Sequence, residues 1–247
     1  AQDNPENMEN YLKTEGKPIG VHFGYLTTPD YYESVDDINN YTRVAGANYL
    51  IEGDLKYIDY NGDGKVDATD RVPIGNTDYP LINAALTTSL AYKGFSFNIM
   101  FQAVSGKSSF HVNNASHLFA NNNDRILGNQ LDYYTTNNTS AGNPAPHYSD
   151  ALRKTNNQFD QYKGTAQTSW VNTEFFRIKQ AELAYTFNAA KLTNLGINNL
   201  RCYVSGNNLF TKSNIAFGDP EKSVMDPGAA NSYPLIKRFN IGFKLNL

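Results

Sequence analysis

Residues 84–103 read AALTTSLAYKGFSFNIMFQA, and this stretch decides the fold class. Ala84, Leu86, Thr88, Leu90 and Tyr92 recur with period two, and so do Phe95, Phe97, Ile99, Phe101 and Ala103. That period marks strands with one apolar face. Lys93-Gly94 lies between the two runs and reads as a two-residue hairpin turn, with glycine taking the positive φ such turns need. With this turn Tyr92 faces Phe95, Leu90 faces Phe97, Thr88 faces Ile99 and Leu86 faces Phe101. Every apolar side chain then falls on one face, and a slip of one residue would scatter them.

Four further stretches repeat the pattern, giving an expectation of about six strands. Ile19, Val21, Phe23 and Tyr25 form the first. Ala181, Leu183, Tyr185 and Phe187 oppose Gln180, Glu182 and Thr186. Leu200, Cys202 and Val204 oppose Arg201, Tyr203 and Ser205, and the alternation fades after Gly206. Phe239, Ile241, Phe243, Leu245 and Leu247 end the chain. The expected connections alternate in length: about 27–83, 104–172 and 211–235 are long, whereas 93–94 and 188–198 are short. Transmembrane barrels combine short periplasmic turns with long outer loops, and a strand of about ten residues crosses a bilayer when tilted. A soluble β-sandwich or jelly roll alternates in the same way and remains the competing architecture.

Composition narrows the choice. The 247 residues hold 21 Lys+Arg against 24 Asp+Glu, a net charge of −3, which excludes a strongly basic nucleic-acid binder. Charged residues are 18% and aromatics 13%, fewer charges than the ~25% usual for soluble domains. No apolar run is long enough for a transmembrane helix. The single cysteine, Cys202, excludes an internal disulfide and a cysteine-based zinc site. The opening Ala1-Gln2-Asp3-Asn4-Pro5 shows no signal-peptide pattern, as expected either of a trimmed secreted protein or of an internal piece.

One stretch carries explicit chemistry. Residues 59–70, Asp-Tyr-Asn-Gly-Asp-Gly-Lys-Val-Asp-Ala-Thr-Asp, have the spacing of an EF-hand loop. Asp59, Asn61, Asp63, Asp67 and Asp70 hold positions 1, 3, 5, 9 and 12, and Lys65 at position 7 offers its backbone carbonyl. Gly64 permits the sharp turn, and Val66 is expected to point inward. An all-oxygen set on a flexible loop suits calcium better than magnesium. Asp70 stands where a bidentate Glu is usual, which resembles loops of the dockerin type. The flanking Asp54-Leu55-Lys56-Tyr57-Ile58 reads as extended rather than helical, so a structural cation is expected rather than a sensor. The competing reading is an Asp/Asn/Gly-rich turn that binds nothing.

Other groups point nowhere in particular. His22, His111, His117 and His147 show no metal spacing, and no serine-hydrolase, phosphate-loop, zinc-protease or dinucleotide motif is present. No enzymatic activity is expected. The Asn-rich run 113–123 reads as loop. Tyr133, Tyr134, His147, Tyr148 and Trp170 suit a membrane-interface girdle, sugar stacking or loop packing, with the girdle preferred for most.

Several stretches resemble one family in collinear order. Gly53-Asp54-Leu55-Lys56-Tyr57-Ile58-Asp59 through Asp70-Arg71 and Ile74-Gly75-Asn76 is similar to a hallmark of the SusC/RagA family of TonB-dependent outer-membrane transporters. Glu15-Gly16-Lys17-Pro18-Ile19-Gly20, Leu90-Ala91-Tyr92-Lys93-Gly94-Phe95 and Phe175-Phe176-Arg177-Ile178-Lys179 resemble further family segments. So do Leu183-Ala184-Tyr185-Thr186-Phe187, Tyr203-Val204-Ser205-Gly206-Asn207-Asn208-Leu209-Phe210-Thr211 and Tyr233-Pro234. The final Asn240-x-Gly242-x-x-Leu245-x-Leu247 is similar to a barrel-insertion signal, although that signal usually ends in an aromatic residue.

The resemblance implies an all-β fold: residues 1–247 as the C-terminal part, about six antiparallel strands, of a large transmembrane β-barrel with long extracellular loops. One of these loops carries the calcium motif. The N-terminal plug and earlier strands would lie outside the chain. It implies import of oligosaccharides or oligopeptides across the outer membrane with a SusD-like surface lipoprotein, energised through the TonB complex, with membrane lipid against the apolar faces. Arg201, Tyr203, Gln180, Glu182 and Lys244 would point into the lumen. Six strands cannot close a lumen and would leave bare edges, so the chain is expected to be part of something larger. The alternative is a secreted calcium-binding β-sandwich that binds glycans, whose apolar faces would meet each other.

Overall fold

The computed structural model describes residues 10–43, 50–110, 131–146, 170–187, 197–215, 219–221 and 235–246. The Asn-rich run 113–123, His111, His117, His147, Tyr148, Tyr233-Pro234, Leu247 and the opening residues 1–9 lie outside them. The described residues are mostly β. In chain order they form β1 (Phe23–Gly24), β2 (Thr27–Tyr31), α1 (Val35–Asn40), β3 (Leu55–Tyr57), β4 (Val72–Pro73), β5 (Ile82–Tyr92) and β6 (Phe95–Ser105). These are followed by β7 (Ser108–Phe110), β8 (Trp170–Asn172), β9 (Phe175–Phe187), β10 (Asn199–Ser213) and β11 (Arg238–Asn246). The chain divides into two compact units.

One unit is a five-stranded antiparallel sheet in the order β11-β10-β9-β6-β5. The β5–β6 hairpin has the expected register, with Tyr92 opposite Phe95 and Leu86 opposite Phe101. Lys93 and Gly94 both have positive φ, 44° and 88°, as a two-residue turn matched to strand twist requires. A Cβ on Gly94 would lie 2.9 Å from the Thr186 carbonyl oxygen, so β9 also needs glycine there.

Register carries the apolar rows across the whole sheet. One row runs Tyr92, Phe95, Tyr185, Cys202, Phe243; the next runs Leu90, Phe97, Leu183, Val204, Ile241; the next runs Thr88, Ile99, Ala181, Gly206, Phe239. Leu86, Phe101, Ile178 and Phe210 follow, and then Ala84, Ala103 and Phe176. Register shifts at Met100/Phe101 and at Asn207/Phe210 keep these rows in phase. Asn208, with φ 53°, sits in the second irregularity. The fading of the alternation after Gly206 is this bulge; the strand itself continues to Ser213.

The sheet has five long strands, not six. Ile19–Tyr25 does not join it. Its Phe23–Gly24 strand pairs instead with Val72–Pro73, in the other unit. Gly20 with φ 81° breaks the extended run, and its residues do not share a face: Ile19 is 88% exposed and Tyr25 only 1%.

The other unit comprises residues from three stretches of chain: 1–79, 108–172 and 221–232. Its core is rich in tyrosine: Tyr25, Tyr31, Leu55, Tyr57, Val66, Tyr134, Ala141 and Ala145 are buried together. The Tyr31 and Tyr134 rings meet edge-on at 5.5 Å, and the Tyr31 hydroxyl donates to the Ala141 carbonyl at 2.9 Å. Gly53, with φ 90°, lies so close beneath Tyr134 that a Cβ would be 2.3 Å from its ring. Its carbonyl accepts from Ala145 N–H at 2.8 Å, which ties segment 131–146 to segment 50–57. Tyr134 is therefore core packing, not part of a girdle or a sugar platform. Ser34 caps the single turn-and-a-half of α1 by accepting from Asp37 N–H at 3.1 Å.

Candidate functional site

The 59–70 loop follows the extended β3, as its sequence indicates, and ends in a short 3-10 turn, Ala68–Asp70. Its acidic and amide side chains fold back on the loop's own N–H groups. The Asp59 carboxylate accepts from Gly62, Asp63 and Gly64 at 2.7, 3.2 and 2.8 Å. Asn61 Oδ1 accepts from Asp63 N–H, and Asp63 Oδ1 accepts from Lys65 N–H, each at 2.9 Å. Val66 is 1% exposed and enters the tyrosine core, so the loop is anchored at position 8 as expected.

The second half of the loop is built differently. Asp67 caps the 3-10 turn, accepting from Thr69 N–H at 2.9 Å and from the Thr69 hydroxyl at 2.7 Å. These two bonds, backbone first, hold its carboxyl below the usual carboxylate range. Asp70 is buried, and both its oxygens are engaged: one accepts from Tyr60 and Asn61 N–H, the other from Asp67 N–H at 2.7 Å. Tyr11 straps the loop from outside: its ring meets Tyr60 edge-on at 5.0 Å and its hydroxyl donates to Thr69 O at 2.8 Å. The donor chemistry is all hard oxygen and fits a calcium-like ion. Among the described residues, however, no three His, Cys, Asp or Glu side chains converge as a metal cluster. Asp70 is a latch for the loop backbone.

The sheet carries the second functional surface, and its two faces differ chemically. On the apolar face Leu90, Tyr92, Leu183, Val204, Phe239, Ile241 and Phe243 are between 51% and 86% exposed. In water each such side chain forgoes the ~1.5–3 kcal/mol that burial would contribute. An apolar surface this continuous marks an interaction surface rather than ordinary scatter. The opposite face carries Gln180, Glu182, Arg201, Tyr203 and Lys244, as the alternation indicates, with Asn98, Ser205 and Asn240 between them. Arg201 pairs with Glu182 at 2.6 Å.

Sequence reasoning missed the buried cations at the loop-bearing end of this sheet. Arg177, 2% exposed, pairs with Asp219 at 2.8 Å, donates from Nε to Thr211 Oγ1 at 3.1 Å and lies 4.9 Å from the Phe175 ring centre. Lys107 is buried as well and reaches the Pro220 carbonyl at 3.5 Å. The polar phase of Arg177 in β9 was visible, but nothing local announces a partner 42 residues away.

No protein-family model matches the chain. Among curated proteins it is similar to three from Formosa agariphila: TonB-dependent receptor P26 (27% identity over 175 residues, 70% of this chain), receptor P3 (23% over 250 residues, 96%) and receptor P39 (26% over 262 residues, 88%). Among solved structures, the RagAB peptide transporter superposes with a TM-score of 0.59 at 19% identity, over 91% of this chain and 22% of that one. The chain resembles the SusC/RagA type of TonB-dependent transporter. The RagAB importer in its closed-closed state gives a TM-score of 0.58 at 18% identity, covering 91% of this chain and 23% of that one. The chain spans between 16% and 24% of the length of the TonB-dependent receptors it matches.

Proposed function

We propose that this chain supplies part of the wall and outer loops of a TonB-dependent transporter of the outer membrane. In this reading the sheet is a segment of a transmembrane barrel with lipid against its apolar face. The observation that carries it is the unbroken, exposed apolar face on a sheet whose other face is polar; a closed lipid-embedded barrel needs that division. The likeness to TonB-dependent receptors and to the fold of RagAB supports it. The glycan-binding sandwich fits less well, because its apolar faces would be covered.

The long connections, including 59–70, would lie outside the cell, and the polar face would line the lumen. The cargo is an oligosaccharide or oligopeptide, admitted beneath a SusD-like lipoprotein and energised through the remainder of the protein and the TonB complex. Calcium is the ligand we assign to the loop. Asp59, Asn61, Asp63, Asp67, Asp70 and the Lys65 carbonyl would hold it, with Asp59 and Asp70 exchanging bonds they now accept from loop N–H groups for the cation. The role is structural and not enzymatic. Fractionation tests the reading. The transporter bearing this chain should stay in the outer-membrane pellet after an alkaline carbonate wash and leave it only in detergent. Recovery as a soluble monomer in buffer would contradict it.

A further inference from the structure

Arg201 and Lys244 are direct cross-strand partners on the polar face of the sheet. Like charges placed opposite each other destabilise a ladder unless something neutralises them. Glu182 neutralises only one of the two, through its 2.6 Å bond to Arg201. Thr186, the partner of Arg201 on β9, is uncharged. Among the described residues Lys244 has no anionic partner. The adjoining pair on the same face is Tyr203 opposite Gly242. The Tyr203 ring lies across that glycine, its hydroxyl 2.5 Å from where a Cβ would stand, which carries the phenol towards the strand of Lys244. This hydroxyl also has no hydrogen-bond partner among the described residues. A guanidinium, an ammonium and a phenol O–H therefore share one patch, with Glu182 orienting the guanidinium from the far side.

We propose that Arg201, Lys244 and Tyr203 form an oxyanion site that takes a carboxylate or sulfate group. Arg201 offers the planar fork suited to such groups, Lys244 a point charge and Tyr203 a neutral donor. The anion removes the like-charge opposition that the ladder otherwise carries. The proposal rests on the reading of the polar face as lumenal, which makes the site specificity-determining for acidic cargo. The same chemistry has a second source, a carboxylate side chain from the remainder of the transporter.

The test uses the intact transporter in detergent. Its melting temperature is followed against sodium sulfate and against sodium chloride at matched ionic strength, for wild type, Lys244→Gln and Tyr203→Phe. A saturable, sulfate-specific rise in the wild type, with half-saturation shifted about tenfold in Lys244→Gln, supports an exchangeable anion. Competition by an acidic hexapeptide or by an acidic oligosaccharide then separates peptide from glycan as the source. A fall in melting temperature in Lys244→Gln with no sulfate response in the wild type assigns the anion to the protein's own carboxylate. Identical behaviour of wild type and both variants overturns the site. Membrane partition of the wild type is scored separately, so failure of the wall reading is distinguishable from failure of this site.

Discussion

Replacing Leu183 with arginine distinguishes a lipid-facing sheet from a water-facing one. Leu183 lies on β9, the middle strand of the sheet, and is 53% exposed. Residues 84 to 92 of β5 rise by roughly 27 Å along the strand, and a tilt of ~40° turns that into about 21 Å of depth. That is close to the ~25 Å apolar band of outer-membrane barrels. The Thr88 row marks its middle, and Leu183, in the Leu90 row, is about 5 Å away. An arginine costs ~2–4 kcal/mol at the bilayer midplane and falls to ~0–1 kcal/mol at the interface, so Leu183→Arg should cost about 2 kcal/mol. That is roughly a 30-fold change in the folding equilibrium. The assay is reversible denaturant unfolding of the intact transporter in lipid vesicles, with Asn98→Arg on the opposite face as the control. A surface change in water moves stability by only ~0.5 kcal/mol either way. If Leu183→Arg costs no more than Asn98→Arg, the lipid-facing argument is wrong.

Other perturbations test separate parts of the account. Arg177→Met should destabilise by roughly 3–5 kcal/mol, because it leaves the Asp219 carboxylate buried without its partner; a loss under about 1 kcal/mol by denaturant titration would remove that pair from the energetics of the sheet. Removing calcium with a chelator should lower the melting temperature of the loop unit, and Asp59→Ala should abolish the difference between calcium-loaded and chelated protein. The difference is the readout, since Asp59→Ala also strips three N–H groups of their acceptor. Burial alone would raise the Asp37 carboxyl, but its hydrogen bonds to the Lys56 ammonium and Glu33 N–H, with the Lys56 charge, hold it below the ordinary range. A depressed folded-state pKa stabilises above the unfolded value near ~4 and is lost as pH falls through the folded one. Asp37→Asn should therefore be less stable than wild type at pH 7 and converge with it under acid. A constant gap across that range would contradict the linkage.

The sheet was largely legible because alternation with period two fixes which face each residue takes. The Lys93-Gly94 turn then fixed the β5–β6 register pair by pair, and the membership of Gln180, Glu182, Arg201, Tyr203 and Lys244 in one polar face followed from parity. Strand order was not legible, because β6 finds β9 across a connection of dozens of residues on which alternation is silent. Ile19–Tyr25 misled for a physical reason: four spaced apolar residues satisfy the pattern, while Gly20 at positive φ breaks the strand that would display it. In the loop, Val66 points inward as position 8 indicates. The side-chain oxygens of Asp59, Asn61, Asp63 and Asp70 accept from loop N–H groups, a use that ligand spacing alone does not announce. The tyrosine core was hidden because its members come from segments brought together only by contacts such as Gly53 under Tyr134.

Cys202 provides the most direct measurement of where the apolar face points. It is the only cysteine in the chain, is exposed, and lies between Tyr185 and Phe243 in one apolar row. A small fluorophore on this thiol, in the transporter reconstituted into vesicles whose acyl chains carry bromine, should be strongly quenched and shielded from aqueous iodide. Quenching by iodide with no response to the brominated lipid would place this face in water and contradict the account.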